Sequence, residues 1–325
     1  MKKRFCFVFI FILLISIFNV YKNPAFADDN KIYLGGMPAG FSLYTRGAHV
    51  VGLCDVITDD GLVSPAKNAE IQVGDIILAI DENETNNATD IDESLKNGKI
   101  KKIYINRNGN ILTEKILPAK DINGSYKLGV FIRDCVNGIG TITYIQGNRF
   151  ASLGHCVTDE KGDVLNIIGG NLYDCNITGQ VKGQRGKAGE LRGVFFNNKI
   201  LAKIDKNTIS GVYGYLDNKI NYNELTEIQV GEPHIGNAYI LSTIDGCKPK
   251  KYDISIIKSD NQNEYKNLVV KINDNELLET TGGIVQGMSG SPIVQDNKLV
   301  GAITHVFIND PTRGFGISIK NMLNK

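Results

Sequence analysis

The sequence predicts a mainly β protein in which a small α+β unit precedes a larger all-β region. Beyond Tyr126, short apolar segments recur between glycine and asparagine turns, and few segments have the period and length of a helix. Before Pro118, strand-like segments surround one short predicted helix. The last two, Lys101–Asn106 and Ile111–Leu117, form a predicted hairpin about Asn108-Gly109, a dipeptide with a strong preference for a two-residue hairpin turn. The change in pattern near residue 120 therefore predicts two domains.

The composition is that of a folded globular protein. Of 325 residues, 42% are apolar and 22% are charged, which excludes wholesale disorder. The 36 basic residues nearly balance the 35 acidic ones and give a net charge of +1. Such a chain has no strong field to attract a polyanion, so we predict no nucleic-acid partner.

The first 27 residues predict an export signal. A basic segment, Lys2–Arg4, precedes an apolar run, Phe5–Phe18, and Ala25 and Ala27 have the spacing of a signal-peptidase site. The run is short for a spanning helix, which needs about 20 apolar residues. We predict either cleavage after Ala27 or retention as a signal anchor, and both place the remaining chain outside the cytosol.

Residues 31–118 resemble a PDZ domain. The resemblance rests on an AGFSL segment (Ala39–Leu43), on SPAKNAEIQVGDIILAIDE (Ser64–Glu82), and on a helix-like segment, Asn87–Leu95. It implies that a peptide or a free carboxyl terminus adds to the sheet as a strand. The amides of a loop would hold the terminal carboxylate; its residues are Gly40, Phe41, Ser42 and Leu43. The alternative is a unit that only packs against the next domain.

The string GMSGSP, residues 287–292, carries the candidate nucleophile. A reactive serine needs an exposed hydroxyl on a tight turn, and Gly287 and Gly290 can take the positive φ that such a turn requires. The amides of Gly287 and Ser289 would then face the developing oxyanion. An LVGAIT strand, Leu299–Thr304, follows.

This string resembles the GDSGGP motif of chymotrypsin-like serine peptidases, with Met288 in place of the aspartate and Ser291 in place of the second glycine. The resemblance implies a double β-barrel over residues 126–325. It also implies a His-Asp-Ser triad that works through an acyl-enzyme, with no metal and no cofactor. Met288 argues against activation by pairing with a new amino terminus.

The general base is expected among four histidines, which are His49, His155, His234 and His305. His155 lies in an SLGHC segment that resembles the AAHC context of the chymotrypsin base, and it precedes Ser289 as that family's order requires. We predict His155 as the base.

The acid that orients the base is predicted at Asp274. Asp274 ends an apolar strand 15 residues before Ser289, and Asp159 and Asp163 are the alternatives.

Six cysteines occur, five of them after the signal, with no metal-type spacing, so free buried thiols are favoured. The chymotrypsin resemblance offers a Cys135–Cys156 bridge as the alternative.

The exported part as a whole resembles the stage IV sporulation protein B family of serine peptidases. The segments that carry the resemblance are Tyr126–Ile145, Ser152–Asp159 and Thr281–Ile319. The family's aspartate context, I-x-D-x-x-L-L, is present at Ile272–Leu278, so the resemblance places the triad on His155, Asp274 and Ser289.

The family resemblance also implies a biological role. Its members cross the forespore inner membrane into the intermembrane space, released or anchored. There they cleave a membrane-associated regulator and so trigger sigma-factor processing between compartments, with self-cleavage under PDZ control. Protein substrates and PDZ-bound peptides are thus the expected partners, and self-association is an open alternative. Two other interpretations are a catalytically inactive PDZ scaffold and an exported quality-control protease.

Overall fold

The computed structural model describes residues 31–159, 162–217, 225–260 and 263–323, apart from the side chains of residues 197 and 198. Strands dominate these residues and the helices are short, so the predicted mainly β class is confirmed. The predicted signal segment, residues 1–27, lies outside the described residues. Within the described ranges, no helix has the length and apolar character needed to cross a bilayer.

The first part of the described chain contains an α+β unit. β1 (Ile32–Leu34) precedes the unit and β2 (Pro38–Leu53) leads into it. Its further elements are β3 (Val56–Thr58), β4 (Gly61–Val63), α1 (Pro65–Asn68), β5 (Ile76–Ile80), β6 (Asn83–Glu84), α2 (Ala88–Leu95), β7 (Lys101–Arg107), β8 (Asn110–Ile116), β9 (Ala119–Lys120) and β10 (Tyr126–Lys127). The predicted hairpin is confirmed, because β7 and β8 pair on either side of Asn108 and Gly109, which both have positive φ. The predicted helix is capped by the Asn87 side chain, which accepts from the Asp90 amide.

A closed ring of strand pairings follows. Its further strands are β11 (Val130–Gln146), β12 (Arg149–Ser152), β13 (Ile167–Val181), β14 (Glu190–Thr208) and β15 (Gly211–Leu216). Antiparallel pairings run from β2 to β11, β12, β15, β14 and β13, and β13 pairs again with β2. The ring encloses an apolar core whose members include Leu43, Ile145, Phe150, Leu172 and Ala202.

The α+β unit is inserted between two strands of this ring. β2 pairs with β11 from Pro38, opposite Thr141, to Leu53, opposite Val130. The first half of β2 lies in the ring, and the second half enters the separate core of the α+β unit, which includes Val50 and Ile77. The unit thus begins within β2, whereas the sequence predicted that it begins at residue 31.

The predicted carboxylate-binding loop is corrected to a central strand. The residues concerned, Gly40, Phe41, Ser42 and Leu43, lie in the middle of β2, which pairs with β11 along one edge and with β13 along the other. A strand paired on both edges has no free amides for a peptide. Gly40 has a packing role, because a Cβ there would lie 2.3 to 2.5 Å from carbon atoms of the Phe195 side chain.

The last part of the chain forms a second closed ring. Its elements are β16 (Glu227–Val230), β17 (Gly236–Ser242), β18 (Lys250–Ser259), β19 (Leu268–Ile272), α3 (Asn275–Thr281), β20 (Pro292–Gln295), β21 (Lys298–Phe307), β22 (Asp310–Ser318) and α4 (Ile319–Leu323). Pairings run from β17 to β18, β19, β22, β21 and β20, and β20 pairs again with β17.

An apolar cluster joins the two rings. Tyr144, Ala151 and Tyr213 of the first ring are buried in one cluster with Ala302 and Ile317 of the second. Burial of each large apolar side chain stabilises the fold by about 1.5–3 kcal/mol, so this cluster fixes how the rings meet. The contact brings the loop after β12 beside the turn before β20, and those two segments carry the predicted base and nucleophile.

Candidate active site

Ser289 lies in a tight turn between α3 and β20. Gly287 and Gly290 have φ values of +97° and +93°, as the sequence predicted for a turn that exposes a hydroxyl. A Cβ at Gly290 would lie 2.1 Å from the Thr141 carbonyl oxygen and 2.5 Å from the Leu153 amide nitrogen. Glycine is therefore required for the turn to pack directly against the first ring.

Two buried threonines of β11 hold this turn. The Thr141 amide donates to the Ser289 carbonyl at 2.9 Å, and the Thr141 hydroxyl donates to the Gly287 carbonyl at 2.9 Å. The Thr143 hydroxyl donates to the Gly290 carbonyl at 2.8 Å. Three carbonyls of the turn are thus fixed by the first ring. Sequence analysis did not identify these threonines, because alternate threonines are ordinary in a strand.

The two serines of the turn have different surroundings. Ser291 is fully buried, and its hydroxyl lies 2.7 Å from the Met288 carbonyl and 3.0 Å from the Ser242 hydroxyl. Ser289 is only partly buried, and its hydroxyl donates to the Thr304 carbonyl at 2.6 Å. Ser291 is therefore a structural residue, and Ser289 is the candidate nucleophile.

His155 lies on the loop that follows β12. A Cβ at Gly154 would lie 3.0 Å from the Thr304 methyl group, so glycine allows this loop to lie against β21. The Asn207 side chain anchors the loop: it accepts from the Val157 amide at 2.9 Å and donates to the Val157 carbonyl at 2.8 Å. Asn207 belongs to no recognisable motif, so sequence reasoning missed its positioning role.

The Cys156 carbonyl fixes the tautomer of His155. Nδ1 of His155 lies 2.7 Å from that carbonyl oxygen, which can only accept, so Nδ1 carries the proton and Nε2 the lone pair. Burial lowers the pKa of His155, the Cys156 hydrogen bond opposes this shift, and Lys266 adds to it. The neutral ring therefore offers an unprotonated nitrogen near pH 7, as a general base requires.

Ser289 and His155 line the same cavity, which has a volume of about 720 Å³. Apolar side chains form much of its wall; they include Ile139, Ile209, Ile284, Val285, Val306 and Ile308. The Ser289 hydroxyl bonds to the Thr304 carbonyl rather than to His155. Catalytic hydrogen bonds are often formed fully only with substrate bound, and both side chains face the cavity that a substrate would enter.

The structure places Asp274 at the start of α3. Its carboxylate accepts from the Leu277 amide at 2.9 Å and caps the helix. Asp274 is not among the residues that line the cavity, and the acceptor at Nδ1 of His155 is the Cys156 carbonyl. The predicted acid thus has a helix-capping role here, and the structure does not bring it to the base.

The two alternative acids lie in an exposed turn. The Asp159 carboxylate accepts from the Asp163 amide at 3.0 Å, and neither residue lines the cavity. Their hydrogen bonds shape the turn that follows the His155 loop.

Asp274→Asn is expected to leave kcat within about threefold of wild type, because asparagine caps a helix as well as aspartate does. Asp274→Ala removes the cap and should lower the free energy of unfolding by about 1 kcal/mol, again with kcat nearly unchanged. Steady-state kinetics and thermal unfolding check both variants. A loss of about 10⁴-fold in kcat for Asp274→Asn, with unchanged unfolding, would restore Asp274 as the orienting acid.

The other histidines lie in three different places. His49 lies in β2, opposite Arg133 of β11, at the entry to the α+β unit. His234 is exposed, and the hydrogen bond that its Nε2 donates to the Asp296 carboxylate at 2.8 Å raises its pKa. His305 directly follows Thr304, and its ring centroid lies 4.5 Å from that of His155. The structure therefore brings two histidines together at the cavity, a pairing that sequence spacing does not reveal.

The amides of Gly287 and Ser289 remain available to a ligand. Among the described residues, neither amide donates to a protein acceptor outside the turn or within it. Both belong to the turn that exposes the Ser289 hydroxyl. Their function as an oxyanion hole stays a prediction.

All five cysteines in the described residues are free thiols. The alternative bridge between Cys135 and Cys156 is thus not formed, and burial raises the pKa of both thiols. Of the five, Cys175 is fully buried and Cys247 is exposed. Across the described ranges, no group of three or more His, Cys, Asp or Glu side chains could hold a metal ion.

Comparison with known proteins identifies one family. The family model described as SpoIVB peptidase S55 matches residues 124–323. No curated protein matches the chain significantly. Among solved structures, the inactive form of the Rv3671c protease of M. tuberculosis is 11% identical, with a TM-score of 0.33, over 57% of this chain and 81% of that one. The active form is 12% identical, with a TM-score of 0.32, over 58% and 72%. TM-scores this low do not establish a shared fold.

Proposed function

We propose that this chain, which belongs to the SpoIVB peptidase S55 family, is a serine endopeptidase with Ser289 as its nucleophile and His155 as its general base. The observation that carries the proposal is the cavity of about 720 Å³ that both side chains line. The tautomer of His155 supports it, because the unprotonated Nε2 is the nitrogen that must take the serine proton.

The reaction that this geometry supports is acyl transfer. Ser289 Oγ bonds to the substrate carbonyl carbon while its proton moves to Nε2 of His155, and the carbonyl electron pair moves onto the oxygen. The amides of Gly287 and Ser289 would stabilise that oxyanion. His155 then gives the proton to the leaving nitrogen as the C–N bond breaks, and water removes the acyl group by the same steps.

We also propose that the two rings are the two barrels of a chymotrypsin-like peptidase. Two closed rings that each contain six paired strands, with the candidate nucleophile and base at their contact, support a chymotrypsin-like double β-barrel. Unlike the arrangement predicted from sequence, the α+β unit is an insertion carried on β2 and β11 of the first ring. Binding at that unit could therefore be transmitted along two strands, one of which includes Thr141.

The cavity predicts the substrate preference. It is largely apolar, none of its described lining residues is Asp or Glu, and Lys266 lies on its wall. We expect cleavage of extended segments with apolar side chains, and about tenfold slower cleavage when a bound side chain is basic, because Lys266 repels it. Digestion of a peptide library, read by mass spectrometry, measures this preference.

Lys266→Glu is the matched variant for that experiment, and we expect it to remove the discrimination against basic side chains. A wild-type preference for lysine or arginine would contradict this description of the cavity. Absence of any cleavage in a library of this breadth would count against the endopeptidase itself.

We propose the family's biological role for this chain: export across the forespore inner membrane and cleavage of a membrane-associated regulator that triggers sigma-factor processing during sporulation. For the PDZ-like unit we propose peptide control of that cleavage. The candidate site is a cavity of about 400 Å³ that Ile57, Ile91 and Val130 help to line, rather than the segment at Gly40.

The biological role can be tested in a spore-forming host that carries only the Ser289→Ala protein. We expect this host to fail in sigma-factor processing. Normal processing there would favour the inactive-scaffold interpretation.

A further inference from the structure

The rings of His155 and His305 are in contact, and the proposed mechanism does not use this contact. Their ring centroids lie 4.5 Å apart with an angle of 39° between the ring planes. His305 follows Thr304 on β21, whose carbonyl accepts from the Ser289 hydroxyl. The backbone of His305 thus directly follows the Thr304 carbonyl, which holds the Ser289 hydroxyl, and its side chain contacts the ring of His155.

His305 is neutral at the pH at which a serine peptidase works. Burial, with smaller effects from His155 and Lys266, lowers the pKa of His305 to about 4. Its Nδ1 is enclosed by protein and has no hydrogen-bond partner among the described residues. The other titratable groups that line the cavity are Lys266, Tyr265 and Cys156, and the lining residues described contain no carboxylate.

We propose that His305 is a positioning residue that acts through His155: its neutral ring holds the His155 imidazole in place and stabilises the imidazolium that forms when Ser289 gives up its proton. This inference rests on the proposed function. A neutral aromatic ring attracts a cation held against its face, and the attraction is larger where water is excluded. The proton moves from Ser289 Oγ to Nε2 of His155 and then to the leaving nitrogen, while His305 keeps its own proton throughout.

His305 would thereby supply the stabilisation that a carboxylate gives in a His-Asp-Ser triad. Tautomer selection, the other task of such a carboxylate, is performed by the Cys156 carbonyl at Nδ1 of His155. The two tasks are thus divided between a backbone carbonyl and a second imidazole. This division fits a cavity whose described lining residues include no carboxylate, and it fits the helix-capping role of Asp274.

Two substitutions of His305 separate the ring contact from simple packing. His305→Phe keeps an aromatic face, whereas His305→Leu fills a similar volume without one. We expect the rate constant for labelling of the full chain by a fluorophosphonate to fall about tenfold in His305→Leu and to stay within about threefold of wild type in His305→Phe. Thermal unfolding of both variants confirms that the fold is retained.

The pH dependence of labelling gives a readout that a structural role would not produce. Stabilisation of the imidazolium raises the pKa of His155, so its loss in His305→Leu should move the acidic limb of the profile about one unit lower, in line with the tenfold rate loss. A substitution that merely admitted water would reduce the burial of His155, raise its pKa and move the limb to higher pH.

Either of two outcomes would overturn the inference. Wild-type labelling and an unshifted limb in His305→Leu would show that the ring does not act on His155. Equal impairment of the Phe and Leu variants would show that the aromatic face is not what matters. Failure of the wild-type chain to label at Ser289 would instead refute the proposed function, so the two failures can be told apart.

Discussion

Replacing Ser289 with alanine is expected to lower kcat for peptide cleavage by about 10⁴-fold or more, because the acyl-enzyme can no longer form. The fold should be retained, since the Ser289 hydroxyl is partly exposed and, within the described ranges, its one hydrogen bond goes to the Thr304 carbonyl. Cleavage of a fluorogenic peptide selected from the library, together with thermal unfolding, measures both effects.

Ser291→Ala is the matched control for this substitution. Ser291 is fully buried, and its hydroxyl contacts the Met288 carbonyl and the Ser242 hydroxyl, so its removal should cost about 1–3 kcal/mol of stability. Activity of the folded fraction should persist. The assignment of the nucleophile would fail if Ser289→Ala kept its activity while Ser291→Ala lost it.

His155→Gln is expected to reduce kcat by about 10³–10⁴-fold, because glutamine cannot accept the serine proton and His305, whose pKa is lowered to about 4, is too weak a base to replace His155. His234→Gln is the control, since His234 is exposed and paired with Asp296 and does not line the cavity. Comparable activity of the two variants would remove His155 from the mechanism.

The wild-type pH profile adds a second test of this base. His155 must be neutral to accept a proton, and burial holds its pKa below the ordinary histidine value of 6.5. Activity should therefore persist as pH falls below 6.5 and be lost only when the pH passes the lowered pKa. A profile whose acidic limb lies above pH 6.5 would contradict the burial of His155.

The turn that carries Ser289 was predictable from sequence because its requirements are local. Gly287 and Gly290 flank Ser289 within four residues, and the positive φ of both glycines follows from that turn alone. The Asn108-Gly109 hairpin was predictable for the same reason. Each of these features depends on residues that are neighbours in the chain.

Features set by distant packing were not predictable in this way. A glycine before an alternating apolar segment is compatible with a binding loop and with a central strand. The pairing of β2 with β11 and β13 decides between them, and the Phe195 side chain lies where a Cβ of Gly40 would stand. An aspartate at the end of a strand can orient a histidine or cap the next helix, and the Leu277 amide decides for Asp274. The contact of His155 with His305 likewise depends on how the two rings meet.

Whether His155 makes Ser289 reactive can be measured directly by identifying the residue that a fluorophosphonate modifies. Labelled protein would be digested and the adduct located by mass spectrometry, in the wild type and in His155→Gln. We expect one adduct, on Ser289, that forms in the wild type and is lost in His155→Gln. An adduct on another residue, or equal labelling of Ser289 without His155, would contradict this expectation.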